Sequence, residues 1–414
     1  MFKYKEILKK SMRKEGELVD KYPWKDLQIK HKRSSFDYLT HNYHEYRGSF
    51  IPMIPKKAIF EFIRKQKRNN GTLILDNFGG CGTTAIEARL HDINSISVDY
   101  NPLAIMIARV KVTPLHPKTL RLRINKFLTK TKKDLDNLKE NKEVKILISN
   151  FPNQDKWFNK DVLNELGVIF YNVNHLRKFK NSIHFSHSKL KEFLTVAFSS
   201  ILIKVANPTN FNYTTDNMLP KEDRYIDVYN ILTETLENMQ KGMRNFYYKL
   251  NKKDWKISKV YCYDSRHLTK LREIKFNSID FAVTSPPYLN GLDYAKMHRL
   301  SFYWLFKDWE LWLKEDREIG ARSKRGKNNC VENYFNDLKM CFNEVYKALK
   351  KNAYYLVVVN DTYYKKEFIP THQRLMKIAK DIGFREVRKK QMLIPGHFYK
   401  DHAKEDEWLL TFKK

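Results

Sequence analysis

The residues with the clearest chemical potential form one run, Thr284-Ser285-Pro286-Pro287-Tyr288. It follows the apolar stretch Ile279 to Val283, which predicts a strand that ends at about Thr284. Two successive prolines cannot donate to a sheet ladder, and the first also restricts Ser285. The turn therefore places a hydroxyl, a carbonyl and an aromatic ring at the carboxyl end of a strand. Such a set suits a planar base with an exocyclic amine, although an ordinary strand-terminating turn is the alternative.

A second group of residues has the composition of a nucleotide-binding turn. The apolar strand Leu73 to Asp76 breaks into Asn77-Phe78-Gly79-Gly80-Cys81-Gly82-Thr83-Thr84, and a helix is predicted from about Thr84 to Leu90. Glycines let the backbone pass close to a ligand, and the amino terminus of a helix offers free N–H groups. The next predicted strand, Ser95 to Val98, ends at Asp99, about where a ribose-binding carboxylate is expected.

The glycine spacing differs from that of a dinucleotide-binding fingerprint. That fingerprint is Gly-x-Gly-x-x-Gly, and here Ala85 replaces the third glycine after Gly80 and Gly82. This difference, together with the turn at Thr284 to Tyr288, disfavours a nicotinamide-dependent oxidoreductase. Cys81 is interpreted as a small residue in a tight loop and not as a nucleophile.

The elements that must position these residues predict an α/β fold. Strands and helices alternate up to about residue 115, and the pattern returns at Lys259 to Asp264. Between them the sequence is mostly helical, so we predict a helical insertion between two halves of one α/β domain. The predicted divisions are a basic N-terminal arm (1–35), a first half with the glycine-rich turn (36–115), the insertion (116–254) and a second half with the turn at Thr284 to Tyr288 (255–414).

Charge and composition restrict the possible partners. The 414 residues carry a formal net charge of +31, which favours a polyanion such as nucleic acid through counterion release. No apolar stretch reaches the roughly 18 residues that span a bilayer, and Met1 to Glu15 is charged throughout, so neither a membrane anchor nor a signal peptide is expected. The four cysteines have no metal-ligand spacing, so we expect no metal site and reduced thiols in a cytoplasm.

Taken together, these segments resemble the amino-methylating DNA methyltransferases of the DNA methylase N-4/N-6 family, in particular the enzymes that modify N4 of cytosine. The first motif of that family, Asp-Pro-Phe-x-Gly-Ser-Gly-Thr, resembles Asp76 to Thr84, with differences at Asn77 and Cys81. The other matches are Asp99 to Pro102 for the second motif, Asp264 with Leu268 for the third, Thr284 to Tyr288 for the fourth and Tyr46 to Ile54 for the tenth. Cytosine enzymes usually carry Ser-Pro-Pro-Tyr, whereas adenine enzymes more often begin this loop with Asp or Asn.

The resemblance implies a Rossmann-like, mostly parallel sheet whose last strand is antiparallel, with the cofactor bound by 36–115 and the catalytic loop in 255–414. It also implies direct methyl transfer from S-adenosyl-L-methionine to an amino nitrogen of a base flipped out of double-stranded DNA. By analogy, Ser285 and the Pro286 carbonyl accept the two amino hydrogens and Tyr288 stacks on the base. Positioning and charge stabilisation then supply most of the catalysis. The implied catalytic residues are Ser285, Pro286, Pro287 and Tyr288, and the implied cofactor-binding residues are Tyr46, Phe50, Asp76, Phe78, Gly80, Gly82, Thr83, Asp99, Asp264 and Thr284.

Three of the implied cofactor residues have simpler alternatives. Asp99 is also placed to cap the following helix, Asp264 to be a surface acid in a turn, and Asp76 to orient the loop backbone. His298, His397 and His402 share no metal-ligand spacing and are interpreted as structural or surface residues.

Contact with DNA is expected at two places. The basic loop with Arg322, Lys324, Arg325 and Lys327 suits phosphates, with a solvated run of charge as the alternative. The insertion is a candidate target-recognition region, because in this family recognition can precede catalysis along the chain. Alternatively, recognition lies in the N-terminal arm and the loop near Arg322.

Other functions fit part of the pattern. A DNA adenine-N6 methyltransferase would share the fold and a related loop. An RNA amino-methyltransferase that acts on tRNA would more commonly carry Asp-Pro-Pro-Tyr, and a catalytically silent DNA-binding protein would not need the intact Gly80, Gly82, Asp99 and Tyr288. The resemblance also implies a restriction–modification context with a cognate restriction endonuclease as a functional partner.

Overall fold

A computed structural model of the chain describes residues 38–46, 48–64, 71–179, 181, 185–207, 226–250, 256–289, 291–314, 318–392 and 407–414. The expected N-terminal arm (1–35) lies outside these residues, as do His397 and His402.

Nine strands form within the described residues. They are Leu73–Asp76 (β1), Asn94–Asp99 (β2), Ser258–Cys262 (β3), Ile279–Thr284 (β4), Leu349–Asn360 (β5), Thr362–Tyr364 (β6), Glu367–Ile369 (β7), Arg385–Met392 (β8) and Glu407–Lys413 (β9). Seven of them make one sheet in the order β3-β2-β1-β4-β5-β9-β8, and β6 pairs with β7. The neighbours from β3 to β5 are parallel, while β9 is antiparallel to both β5 and β8. The predicted Rossmann-like sheet with an antiparallel last strand is confirmed.

Helices flank the sheet and fill the segment between β2 and β3. They are Met53–Ile59 (α1, continued by a π turn at Phe60–Arg64), Thr83–Leu90 (α2), Pro102–Val112 (α3), Pro117–Lys139 (α4), Gln154–Trp157 (α5), Lys160–Asn174 (α6), His187–Val205 (α7), Val228–Lys249 (α8), Tyr294–Met297 (α9), Arg299–Leu305 (α10), Trp309–Lys314 (α11), Cys330–Ala348 (α12) and Thr371–Ile382 (α13). Two 3₁₀ turns occur at Ser265–Lys270 and Arg322–Gly326.

The central strands are apolar because both of their faces are covered. On one face, Ile74, Phe281 and Val283 pack in a cluster with residues of α1. On the other face, Leu75 and Ala282 pack in a cluster with residues of α12 and α13. This double burial makes β1 and β4 rigid supports for the turns that follow them.

The helical segment between β2 and β3 shares its core with the first half of the sheet domain. Phe193 and Phe198 of α7 and Trp304 of α10 lie in one buried cluster that continues to Ala85 and Ile86 of α2. The rings of Phe198 and Trp304 meet edge to face, with centroids 5.3 Å apart. The helices therefore pack directly on the sheet domain.

Two parts of the fold differ from the sequence prediction. The apolar pattern of the sequence predicts a strand from Tyr354 to Val359, but β5 begins five residues earlier, at Leu349. The polar residues Lys350 to Asn352 interrupt the apolar pattern at its start. The β6–β7 hairpin was not predicted, since strands of three residues are too short to show a clear alternation.

Candidate active site at the carboxyl ends of the central strands

The functional residues implied by the sequence converge where β1, β2 and β4 end. These strands are parallel neighbours, with Asp76 beside Ser97 and Leu75 beside Ala282. Their carboxyl ends therefore meet at one edge of the sheet, where ligands of open α/β sheets bind.

Asp76 links the glycine-rich loop (Asn77 to Thr84) to the predicted catalytic loop (Thr284 to Tyr288). Thr84 Oγ1 donates to Asp76 Oδ2 at 2.6 Å, and Thr284 Oγ1 donates to Oδ1 at 2.6 Å. The Phe78 amide donates to Oδ1 at 3.2 Å and to Thr284 Oγ1 at the same distance. Burial raises the pKa of Asp76 to about 6, against the effect of these hydrogen bonds. Both carboxylate oxygens are thus used to orient the two loops.

Asp99 is joined to the glycine-rich loop from the neighbouring strand. Its Oδ2 accepts from the Gly80 amide at 2.8 Å, and its Oδ1 accepts from the Asn101 amide at 2.9 Å. Burial raises the pKa of the Asp99 carboxyl. Helix α3 is capped by Asn101, whose side chain accepts from the amides of Leu103 and Ala104. The alternative in which Asp99 is the cap is therefore wrong.

Two glycines of the loop have different surroundings. Gly82, with φ of +89°, precedes Thr83 at the start of α2, and a Cβ there would lie 2.7 Å from Ala108 Cβ. Gly80, with φ of +47°, would carry a Cβ with only Tyr46 Cε1 near it, at 4.0 Å. Gly82 allows close packing of α2 on α3, while a side chain at position 80 would contact the edge of the Tyr46 ring.

An aromatic stack lies beside Gly80. The Tyr46 ring stacks on His298 at 4.7 Å with an interplanar angle of 10°, and lies nearly parallel to Tyr294 at 6.2 Å. Asn101 Nδ2 donates to the Tyr46 hydroxyl at 3.4 Å. Tyr46 therefore lies beside the glycine-rich loop, whereas Phe50 packs against the cluster around α1.

Glu318 adds a carboxylate to this region. It accepts from the amides of Tyr294 at 3.1 Å and Ala295 at 2.9 Å. Burial raises its pKa to about 7, and the nearby charges of Asp293 and Asp99 add to the rise. Neither Tyr294 nor Glu318 was singled out in the sequence, because a tyrosine and a glutamate in ordinary polar segments carry no local signal.

The catalytic loop is held by three hydrogen bonds from separate elements. The Ser285 hydroxyl donates to the Val358 carbonyl of β5 at 3.3 Å. Tyr334 of α12 donates its hydroxyl to the Pro287 carbonyl at 3.0 Å. The Tyr288 hydroxyl donates to Glu407 Oε1 of β9 at 3.1 Å.

These contacts fix the chemistry that the loop presents. The Ser285 hydrogen is directed at the Val358 carbonyl, so its oxygen can act as an acceptor. Burial raises the pKa of Tyr288 well above its usual value, and the negative charge of Glu407 adds to this, while a hydrogen bond between the Ser285 and Tyr288 side chains acts to lower the pKa of Tyr288. Tyr288 thus remains a neutral ring. Tyr334 and Glu407 were missed by sequence reasoning, since their roles depend on contacts over 47 and 119 residues.

Asp264 follows β3 at the same edge, with its carboxylate engaged by Arg266. The Arg266 side chain donates to both oxygens, at 2.7 to 3.1 Å, and its amide donates to Oδ1 at 2.9 Å. This pairing lowers the pKa of Asp264. The described contacts favour the interpretation of Asp264 as the acid of a turn.

The predicted DNA-binding loop is a 3₁₀ turn before α12. Arg322 and Lys327 are exposed and Lys324 is half-buried, while the side chain of Arg325 lies outside the described set. The Ser323 amide and hydroxyl donate to Asp293 Oδ1 at 2.9 and 3.0 Å, which attaches the turn to the start of α9. In the described part of the chain, no helix is sufficiently long and apolar to cross a membrane.

Comparison with known proteins finds Type II methyltransferases. M.MvaI of Kocuria varians is 29% identical over 64% of this chain and 58% of its own length. M.MjaII of Methanocaldococcus jannaschii is 24% identical, covering 78% of this chain and 72% of that protein. M.BsoBI of Geobacillus stearothermophilus is 22% identical, covering 84% and 79%. No family model matches the chain.

The chain is also similar to solved structures of methyltransferases. The rRNA methyltransferase AviRa of Streptomyces viridochromogenes aligns over 93% of this chain and 94% of its own at 8% identity, with a TM-score of 0.38. The similarity to the three Type II methyltransferases confirms the resemblance to the DNA methylase N-4/N-6 family that the motifs indicate.

Proposed function

We propose that the chain is an S-adenosyl-L-methionine-dependent DNA methyltransferase that methylates the exocyclic N4 of cytosine in double-stranded DNA. One observation carries the proposal: Asp76 joins Thr84 of the glycine-rich loop and Thr284 of the Thr-Ser-Pro-Pro-Tyr loop through two hydrogen bonds of 2.6 Å. A cofactor site and a base site are thereby held at fixed separation. The similarity to Type II methyltransferases supports the same conclusion.

The residues around Gly80 fit the cofactor. The backbone at Gly80 carries no side chain beside the Tyr46 ring, so a ligand can approach it closely, and the amino terminus of α2 offers free N–H groups to a carboxylate. Asp99 is placed to accept from ribose hydroxyls. The faces of Tyr46 and Tyr294 suit a sulfonium cation. When bound, S-adenosyl-L-methionine supplies an electrophilic methyl group.

The catalytic loop fits an amino group that must lose conjugation with its ring. The Ser285 oxygen and the Pro286 carbonyl accept the two amino hydrogens, which directs the nitrogen lone pair toward the cofactor site. The carbonyl oxygen of thymine or guanine is itself an acceptor, so the Ser285 oxygen and the Pro286 carbonyl would repel it. Tyr288 stacks on the flipped base, and its bond to Glu407 keeps the ring in place.

Cytosine is preferred to adenine because the loop carries Ser285 where adenine enzymes more often have Asp or Asn. The exposed Arg322 and Lys327 are assigned to phosphates, and the helical segment 116–254 to target recognition. Restriction–modification is the proposed context, with a cognate endonuclease as functional partner. DNA adenine-N6 methylation and tRNA amino-methylation are the alternatives.

Transfer of an isotope-labelled methyl group tests the proposal. The protein and labelled S-adenosyl-L-methionine are incubated with duplex DNA or with a tRNA pool, and Tyr288→Ala protein prepared identically serves as the control for contaminating enzymes. We expect labelled DNA with the wild type and no labelled DNA with Tyr288→Ala. Label in tRNA alone, or no transfer while the cofactor binds, would overturn the proposal.

A further inference from the structure

The β6–β7 hairpin (362–369) exposes an aromatic pair. Tyr363 and Phe368 are cross-strand partners that are 59% and 53% exposed, with ring centroids 5.4 Å apart. The alternate residues Tyr364 and Ile369 are buried in the core beside α12 and α13. The hairpin is therefore anchored through one face and presents two adjacent rings on the other.

The tip of the hairpin consists of two lysines in an unfavourable conformation. Lys365 and Lys366 have φ of +49° and +72°, which corresponds to a two-residue turn in which Asn-Gly is strongly preferred. For residues other than glycine this left-handed conformation is sterically unfavourable. Both side chains are exposed beside Glu367, the acid of the hairpin. Strain of this kind points to a role for the charged side chains.

The hairpin lies at the same edge as the catalytic loop. It follows the carboxyl end of β5, and Ser285, which directly follows the neighbouring β4, is hydrogen-bonded to the Val358 carbonyl. Its first residue, Thr362, comes four residues after Val358, a distance of roughly 13 Å along an extended chain.

The base of the hairpin is attached to the strand that holds Tyr288. Buried Asp361 accepts from His372 Nδ1 at 2.7 Å and from Trp408 Nε1 at 2.9 Å. The His372 and Trp408 rings stack at 4.0 Å. Trp408 directly follows Glu407, the acceptor for Tyr288, so the hairpin has a rigid connection to the catalytic loop.

The predicted DNA-binding loop, the 3₁₀ turn Arg322–Gly326 before α12, lies at this edge as well. Helix α12 ends at Ala348, where β5 begins, so its first turn is at the opposite, carboxyl-end edge of the sheet. Arg374 of α13 pairs with Glu332 at 2.9 Å and covers the Phe335 ring at 4.8 Å. These contacts bring together the first turns of α12 and α13, and hence the segments that precede them.

We propose that the β6–β7 hairpin is a DNA-contacting element of the proposed methyltransferase. Lys365 and Lys366 pair with phosphates, and Tyr363 and Phe368 stack on base or sugar surface exposed where the duplex opens. Two rings are a small patch for a stable protein interface, whereas cations around an aromatic pair match a polyanion with flat bases. The inference rests on the proposed DNA substrate.

Binding to fluorescent duplex DNA that carries one unpaired base tests this role. Lys365→Asn with Lys366→Gly removes both charges and installs the preferred turn, so the fold is retained. We expect about tenfold weaker binding and a salt slope smaller by about two. Tyr363→Ser with Phe368→Ser should weaken binding about tenfold with the slope unchanged.

Phe276→Ser is the matched control. Phe276 is 65% exposed and precedes β4, at the opposite edge of the sheet, so its loss should leave DNA affinity unchanged. Hairpin variants that bind DNA like the wild type would overturn the inference and point to a protein partner instead, while DNA methylation by the wild type would still stand. Hairpin-dependent binding without any methyl transfer would instead overturn only the proposed function.

Discussion

At the level of single residues, the catalytic loop is defined by the direction of its hydrogen bonds. Ser285 donates to Val358, and Tyr288 donates to Glu407. The first bond leaves an acceptor for an amino hydrogen, and the second immobilises a neutral ring. The loop can therefore recognise an amine and a flat surface without an ionised side chain from Thr284 to Tyr288.

The hydroxyl of Ser285 should matter less than the ring of Tyr288. A single hydrogen bond contributes about 1 kcal/mol, whereas stacking of a base on an aromatic ring contributes about 1–3 kcal/mol. Ser285→Ala should lower turnover by up to about tenfold, and Tyr288→Ala by more. Single-turnover rates with cofactor binding measured in parallel decide this, and equal losses would count against the division of roles.

Glu407 should act through Tyr288. Removal of a hydrogen bond to a charged group costs about 1.5–3 kcal/mol, so Tyr288→Phe should lower turnover by about tenfold or more. Glu407→Gln and the double variant complete a mutant cycle. We expect the double variant to lose less than the product of the single losses. Independent, multiplicative effects would show that the bond does not position the ring.

Asp76 should give stability a distinct pH dependence. Burial raises the pKa of its carboxyl from 3.8 to about 6, so between these values the folded chain retains a proton that the unfolded chain releases. The free energy of unfolding should therefore fall as the pH rises from about 4 to about 6, by roughly 3 kcal/mol for this group. Denaturant unfolding of the wild type and Asp76→Asn across this pH range measures the difference in unfolding free energy. The same dependence of unfolding free energy on pH in both proteins would contradict the raised pKa.

At the level of elements, the turn from β1 into α2 depends on the close approach of Gly82 to Ala108 of α3. Alanine at position 82 would combine a left-handed φ of +89° with a Cβ 2.7 Å from Ala108 Cβ and 3.0 Å from its Cα. Gly82→Ala should cost about 3 kcal/mol or more in unfolding free energy. Gly80→Ala should cost less, because only Tyr46 Cε1 at 4.0 Å is near, but it should weaken cofactor binding. Equal stability of the two variants would argue against the packing of α2 on α3.

The elements that sequence reasoning located are those with local signals. The apolar strand before Asp76, the glycines after it and the two prolines after Ser285 each restrict the backbone where they stand. Glu318 and Glu407 were not found, because their partners are 23 to 119 residues away and depend on how the helices and β9 pack. The β6–β7 hairpin was missed for a similar reason, since its alternation becomes visible only once Tyr364 and Ile369 are seen to be buried.

At the level of the whole molecule, the net charge of +31 and the shared edge of the sheet support one arrangement. The glycine-rich loop, the catalytic loop, the basic 3₁₀ turn and the β6–β7 hairpin all follow or precede elements at the carboxyl ends of the strands. The helical segment from α4 to α8 packs on the same domain through a continuous core. A DNA duplex bound at that edge would contact the base site, the basic 3₁₀ turn and the β6–β7 hairpin.

The most direct test of the proposed function is nucleoside mass spectrometry. Duplex DNA is incubated with S-adenosyl-L-methionine and the protein, with Tyr288→Ala as the matched control, and is then digested to nucleosides. We expect N4-methylcytosine with the wild type and none with the variant. N6-methyladenine would contradict the choice of base while leaving the two loops and their link through Asp76 in place. DNA without any methylated nucleoside would contradict the central claim.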